Sequence, residues 1–220
     1  MSFIENIYVC LAAPLVISIL CMRDRGRRMV SFILCGMTVC LLSSYISTFI
    51  ASDMGMSPLS ASIEIAPMVE EIMKFLPILF YLIVFEPRKD EIASEILMTS
   101  VGFATFENAC YLTNNGAANI LHLIVRGFGT GAMHVVCGFL IALGLIYLWD
   151  RDWLRVAGTA GLLSVAMTFH GIYNILVSQT GPAAYAGYFI PTVALILGLF
   201  FGRGLYYQNP SGAPGSRPGK

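Results

Sequence analysis

The chain has 220 residues, of which 57% are hydrophobic and only 12% charged, and its formal net charge is zero. A soluble domain carries ~25% charged residues, so the chain lacks the polar surface that a water-soluble fold of its size needs, and the balanced charge leaves no basic footprint for nucleic acid. The length suits one helical bundle, and the expected fold class is all-α: a polytopic transmembrane bundle in which each backbone polar group is satisfied within its own helix.

Apolar runs and their breaks predict about seven spans, each near the ~20 residues that cross a bilayer. The first covers 3–22 and runs into Arg23, Arg25, Arg27 and Arg28, with Glu5 ahead of it and no basic n-region, so it reads as a retained span and not a cleaved leader. The second covers 29–51, and Asp53, Gly55 and Pro58 mark the turn after it. The third covers 63–85 and the fourth 92–112, followed by an uncharged loop at 113–119. The fifth is long, 120–149; the sixth covers 156–178; Gly181 and Pro182 break the chain before the seventh, 184–201. Residues 1–208 are expected to form one transmembrane domain with a motif-bearing core at 63–178, and the Pro-, Gly- and Ser-rich 209–220 a disordered tail. The cysteines (Cys10, Cys21, Cys35, Cys40, Cys110, Cys137) lie in apolar segments without a CxxC pair and read as small apolar residues.

Basic residues fall on alternate loops. The four arginines follow span one, Arg88 and Lys89 follow span three, Arg151 and Arg155 follow span five, and Arg203, Arg217 and Lys220 follow span seven. The positive-inside rule then puts the N-terminus outside and the C-terminus in the cytoplasm, in a multi-pass protein of the cell membrane.

Six ionisable side chains sit inside the spans: Glu70, Glu71 and Lys74 on the third, Glu107 on the fourth, His134 on the fifth and His170 on the sixth. A charge at the bilayer centre costs at least ~2.5 kcal/mol, so these groups must face one another. Glu71 lies 17 residues from Arg88, Glu107 18 from Lys89, His134 17 from Arg151 and His170 15 from Arg155. At ~1.5 Å per residue that is ~22–27 Å from each cytoplasmic anchor, one shared layer in the outer half of a ~30 Å core. Interhelical glue pairs need share no depth. Lys74 can pair with Glu70 at i,i+4 or Glu71 at i,i+3, and His170 shares a face with Asn174. The cluster offers carboxylates to activate water, histidines to bind metal or stabilise an oxyanion, and an amide donor.

Other residues have plainer readings. Arg126 either neutralises the carboxylates or snorkels outward, and Asn108 either supports the site or packs between helices. His122 is expected at the outer surface, Glu64 at a helix start where an acid suits the dipole, and Gly127, Gly129 and Gly131 as a ridge for close helix approach.

Four motifs in order resemble the PrsW family of intramembrane proteases: Glu70-Glu71-x-x-Lys74 (EExxK), Phe103-x-x-x-Glu107-Asn108 (FxxxEN within 102–108), Arg126 with His134 (R-x7-H), and His170-x-x-x-Asn174 (HxxxN). They cover about half the chain, and spans one, two and seven carry none. The wider clan includes the CAAX prenyl endopeptidases, with EExxxR and FxxxH; here Lys74 stands one position earlier than that arginine and Glu107 replaces that histidine, which favours PrsW and argues against prenylated substrates. The resemblance implies hydrolysis of a peptide bond in a membrane-bound protein, an anti-sigma factor being the implied partner, near the extracytoplasmic side. In that reading Glu70 or Glu71 is the general base, Glu107, His134 and His170 are metal ligands or transition-state contacts, Asn174 is an oxyanion donor, and Lys74, Asn108 and Arg126 support them. Zinc is the metal expected of mixed histidine and carboxylate ligation; a metal-free glutamate mechanism uses the same residues. The competing classes are an ion- or proton-coupled transporter relaying through the Glu/His cluster, and a non-catalytic scaffold that binds peptides in the same pocket.

Overall fold

The computed structural model describes residues 4–116, 119–149 and 152–208. Arg151, part of the 113–119 loop and the tail 209–220 with Arg217 and Lys220 lie outside the described residues. Among those described, seven helices follow one another: α1 (Ile4–Cys21), α2 (Asp24–Asp53), α3 (Pro58–Phe85), α4 (Lys89–Asn115), α5 (Ile120–Leu148), α6 (Asp152–Val177) and α7 (Pro182–Gln208). No strand occurs among them, so the all-α expectation holds. Five helices, α1, α2, α5, α6 and α7, are long and apolar enough to cross a membrane. The two that fall short of that composition are α3 and α4, which carry Glu70, Glu71, Lys74, Glu95 and Glu107.

Local chemistry sets the helix ends. Ser57 Oγ accepts Ser60 N–H at 3.1 Å with Pro58 at the first helical position, a strong start for α3. Asn119 caps α5 by accepting His122 N–H at 3.1 Å. Gly55, Gly116 and Gly181, all at positive φ, close the α2–α3, α4–α5 and α6–α7 turns, which share one end of the bundle.

The burial pattern is inverted relative to a soluble protein. Glu71, His134, Glu95, Lys74 and His170 are almost fully buried, while Ile17, Leu20, Phe49, Phe80, Phe128, Phe189 and Phe200 point outward. Such an exterior suits lipid. Helix α5 is the most enclosed of the apolar five. Its Met133, Cys137, Ile141 and Leu145 pack with Ile78 and Leu82 of α3, Ile92 and Ile96 of α4 and Ala166 and Tyr173 of α6.

Helices α2 and α4 meet backbone to backbone. A Cβ on Gly36 would lie 2.1 Å from Thr99 O, and one on Gly102 2.0 Å from Ile33 O. Only glycine permits that approach. The glycine ridge expected on α5 contracts to one residue: a Cβ on Gly129 would meet Tyr188 of α7 at 2.9 Å, whereas Gly127 and Gly131 have nothing within 4 Å. Residues two apart point to opposite sides of a helix, so a run spaced by two cannot line one face.

Candidate active site

Glu71 is the hub of the buried cluster. Its Oε1 accepts from Lys74 Nζ at 2.6 Å, one turn along α3, and from His170 Nδ1–H at 2.7 Å across on α6. Lys74 Nζ also donates to His134 Nδ1 at 3.1 Å on α5. Lys74 therefore takes Glu71, of the two carboxylates its spacing allowed. Phe103 of α4, fully buried, lies under this pairing: Lys74 Nζ is 5.0 Å from its ring centre and the His134 ring 4.8 Å.

On the far side of His134, Nε2–H donates to Glu107 Oε2 at 2.5 Å. Arg126 turns inward, which settles its two sequence readings: it pairs with Glu107 Oε1 at 3.3 Å, hydrogen-bonds Asn108 Oδ1 and stacks on the Tyr111 ring at 3.6 Å. Asn108 thus braces the arginine. The hydrogen-bond path Glu107–His134–Lys74–Glu71–His170 joins four helices without a break. The single layer deduced from residue counting corresponds to this path.

Glu70 differs from its neighbour because adjacent residues diverge by ~100° around a helix. Its Oε2 is buried with no hydrogen-bond partner among the described residues and faces His170 Nε2 at 3.7 Å. Glu70 and Glu107 form the inner end of a cavity of about 540 Å³ between α2, α3 and α4. Exposed Ser52, Pro58 and Asn114 frame its mouth at the end where the glycine turns lie. Ser44, Ser47 and Thr48 of α2 line its wall. Sequence reading assigned α2 nothing here; serines and threonines in an apolar span look like ordinary packing residues, and only their shared helical face hints otherwise.

The donor set suits a metal ion. Glu70, His134 and His170 each offer a ligand atom, all within 4.8 Å of one another. The sequence-derived set had Glu107 in place of Glu70; Glu107 instead holds His134. Because Nδ1–H of His170 is held by Glu71, its Nε2 lone pair is left toward Glu70, the carboxylate-oriented tautomer of metal-binding histidines. His134 has both nitrogens engaged, so ligation there requires one of them to part from its partner: Nδ1 from Lys74, or Nε2, with loss of its proton, from Glu107. With Glu70, Glu71 and Glu107 all ionised, the three carboxylates outnumber the cations Lys74 and Arg126 by one, a balance that accepts further positive charge when the imidazoles are neutral.

Asn174 stands one turn beyond His170 on α6. Its Nδ2 donates to Ser62 O at 2.8 Å. Sequence reading also passed over Glu95, 1% exposed near the other end of α4 and paired to Arg28 Nε at 2.8 Å.

No curated protein and no solved structure matches the chain. The sequence model of the PrsW family intramembrane metalloproteases matches residues 26–199, α2 through most of α7 with every residue of the cluster. The chain is a multi-pass membrane protein belonging to the PrsW family of intramembrane proteases.

Proposed function

We propose that this protein hydrolyses a peptide bond in a membrane-bound protein, of the anti-sigma-factor kind, close to the extracytoplasmic surface, with water activated by Glu70. The carrying observation is the buried Glu70 Oε2, unpartnered at the inner end of a cavity of about 540 Å³. A general base needs a spare lone pair and a route for water; both glutamates keep an unpartnered Oε2, but Glu71 is tied through Oε1 to Lys74 and His170 and is not among the residues lining the cavity, whereas Glu70 is. Glu70 takes the proton of the attacking water. His170 Nε2, 3.7 Å away, orients that water on its other side. Glu107 and Lys74 fix the His134 ring between them, with Arg126 balancing Glu107. The residues that would hold a metal are His170 and, once one of its nitrogens is released from Lys74 or Glu107, His134, with Glu70 the carboxylate near both. Zinc there would polarise the scissile carbonyl and acidify water.

The seven helices are read as seven spans in one domain, 1–208, with the N-terminus outside in the cell membrane. Arginines at the α1–α2 turn and Arg88 at the α3–α4 turn support that orientation, because both turns lie opposite the cavity mouth. The likeness of the motifs to the CAAX endopeptidase clan supports the hydrolytic reading, with the departures at Lys74 and Glu107 separating the substrates. A helical substrate hides its carbonyls, so the scissile stretch must be extended before attack.

The test is proteolysis in proteoliposomes with a single-span substrate, with and without a chelator, the product mapped by mass spectrometry. Cleavage in the external juxtamembrane stretch or within ~11 Å of it is expected. A cut in the cytoplasmic half of the span contradicts the reading, and full activity in metal-free protein favours the glutamate mechanism alone. Single cysteines at positions 115 and 152 should label from opposite sides.

A further inference from the structure

Proline at position 67 removes one amide from α3. Just before it the helix widens: Ala66 N–H reaches back five residues to Ala61 O, a π-turn over Ala61–Ile65. The amide that would continue this register onto Ser62 O belongs to residue 67, and proline has none. Ala66 N–H, the donor in an ordinary α-turn, is committed to Ala61. Helix α3 therefore leaves the Ser62 carbonyl without a donor of its own, and Asn174 Nδ2 reaches across from α6 to supply one at 2.8 Å.

Helix α6 lies in ordinary packing contact with this turn. A Cβ on Gly171 would lie 3.6 Å from Ile63 O and 4.0 Å from Pro67 Cγ. One turn away on the same face, His170 Nδ1–H donates to Glu71 Oε1 at 2.7 Å. The first and last residues of the HxxxN stretch are thus two rungs between α6 and α3, one on the widened turn and one on the catalytic pair.

We infer that Asn174 is a positioning residue: it clasps the carbonyl that Pro67 orphans, holds the widened turn in register, and so sets the direction in which Glu70 and Glu71 leave α3. It does not donate to the reacting carbonyl. A π-turn carries one extra residue, and losing it rotates the segments on either side by ~100° relative to each other. A helix free to slip between those registers would no longer hold Glu70 at the cavity. The activity part of this inference rests on the peptidase reading; the clasp does not.

The experiment is a double-mutant cycle of Asn174→Ala and Pro67→Ala on the full-length protein in proteoliposomes, read by kcat, KM and Tm. Alanine at 67 restores the missing amide, so it should make the clasp dispensable. Asn174→Ala alone is expected to lower kcat per folded molecule by ~100-fold at unchanged KM, with Tm down by roughly 2–4 °C. In the Pro67→Ala background the same substitution should change kcat by no more than about twofold and leave Tm unmoved. Pro67→Ser supplies the same amide should Pro67→Ala fail to fold. Equal losses of kcat in both backgrounds with unaltered Tm would make Asn174 a donor at the reacting carbonyl and overturn the inference. A lower Tm with wild-type kcat per folded molecule would overturn it too, leaving a purely structural bond. An inactive wild type defeats the peptidase reading, and the Tm cycle still decides the clasp.

Discussion

Two clusters of charge stand out among the described residues of the bundle, and their surroundings differ. Toward the α3–α4 turn, Arg28 of α2 bridges Glu91 and Glu95 of α4, each at 2.8 Å, and Arg88 N–H caps Glu91 at 3.1 Å. Toward the other end stands the Glu70–Glu71–Lys74–Glu107–His134–His170 cluster. Each contains a carboxylate oxygen buried without a hydrogen-bond partner, on Glu95 in one and on Glu70 and Glu71 in the other. What separates them is access and chemical variety. Arg28 and Glu91 border open spaces of about 630 and 770 Å³, but Glu95 is not among the residues lining them and faces guanidinium groups, Arg28 and Arg25, whereas Glu70 itself opens on about 540 Å³ beside two imidazoles. A buried charge inside a membrane protein is therefore not in itself a site; a spare lone pair that water and substrate can reach is.

That contrast is broken most directly by amide substitution. Glu70→Gln is expected to slow proteolysis by ~100-fold or more, the order lost with a general base, while Glu95→Gln leaves initial rates near wild type. Comparable rates for the two variants would erase the distinction. The second expectation sharpens it: elemental analysis should find about one zinc per chain, lost in His134→Ala and His170→Ala and kept in Arg28→Ala. The third concerns stability. Arg28→Ala leaves Glu95 buried and unpaired, and a half-exposed pair of this kind should cost roughly 1–3 kcal/mol in detergent unfolding, recovered in large part by adding Glu95→Leu. The smallest effect belongs to Glu91, outside the spans, whose carboxyl is held below its ordinary value first by the Arg88 backbone N–H and then by Arg28. A group depressed on folding stabilises fully above its unfolded pKa of ~4.3 and loses that contribution as pH falls through the folded value. Glu91→Gln should therefore flatten Tm against pH on the acid side only.

Sequence reading picked out the buried cluster because lipid makes charge conspicuous. Glu70, Glu71, Lys74, Glu107, His134 and His170 stood out against apolar runs, and counting from basic loops put them in one layer. It could not see which carboxylate opens on the cavity, since Glu70 and Glu71 differ only by their angle around α3. Nor could it find the partner of Asn174: Pro67 is visible as a letter, but the widened turn and its stranded carbonyl exist only in the folded helix. The serines of α2 escaped for the opposite reason, being small and neutral. The misjudged glycine run on α5 came from reading composition without angular position.

The backbone contact of α2 with α4 bears on how the chain is made. On the seven-span reading, α3 and α4 are the segments least suited to leave an insertion machinery for lipid alone, because each carries several charges. Helix α2 emerges before both and is apolar enough to wait in the bilayer. Gly36 and Gly102 then let α4 dock against it with no side chain between, so that Glu95 arrives beside Arg28 and Glu107 arrives against protein instead of acyl chains. On that reading the order of arrival rests on two glycines, and bulk at either is expected to appear as failed membrane integration before it appears as lost proteolysis.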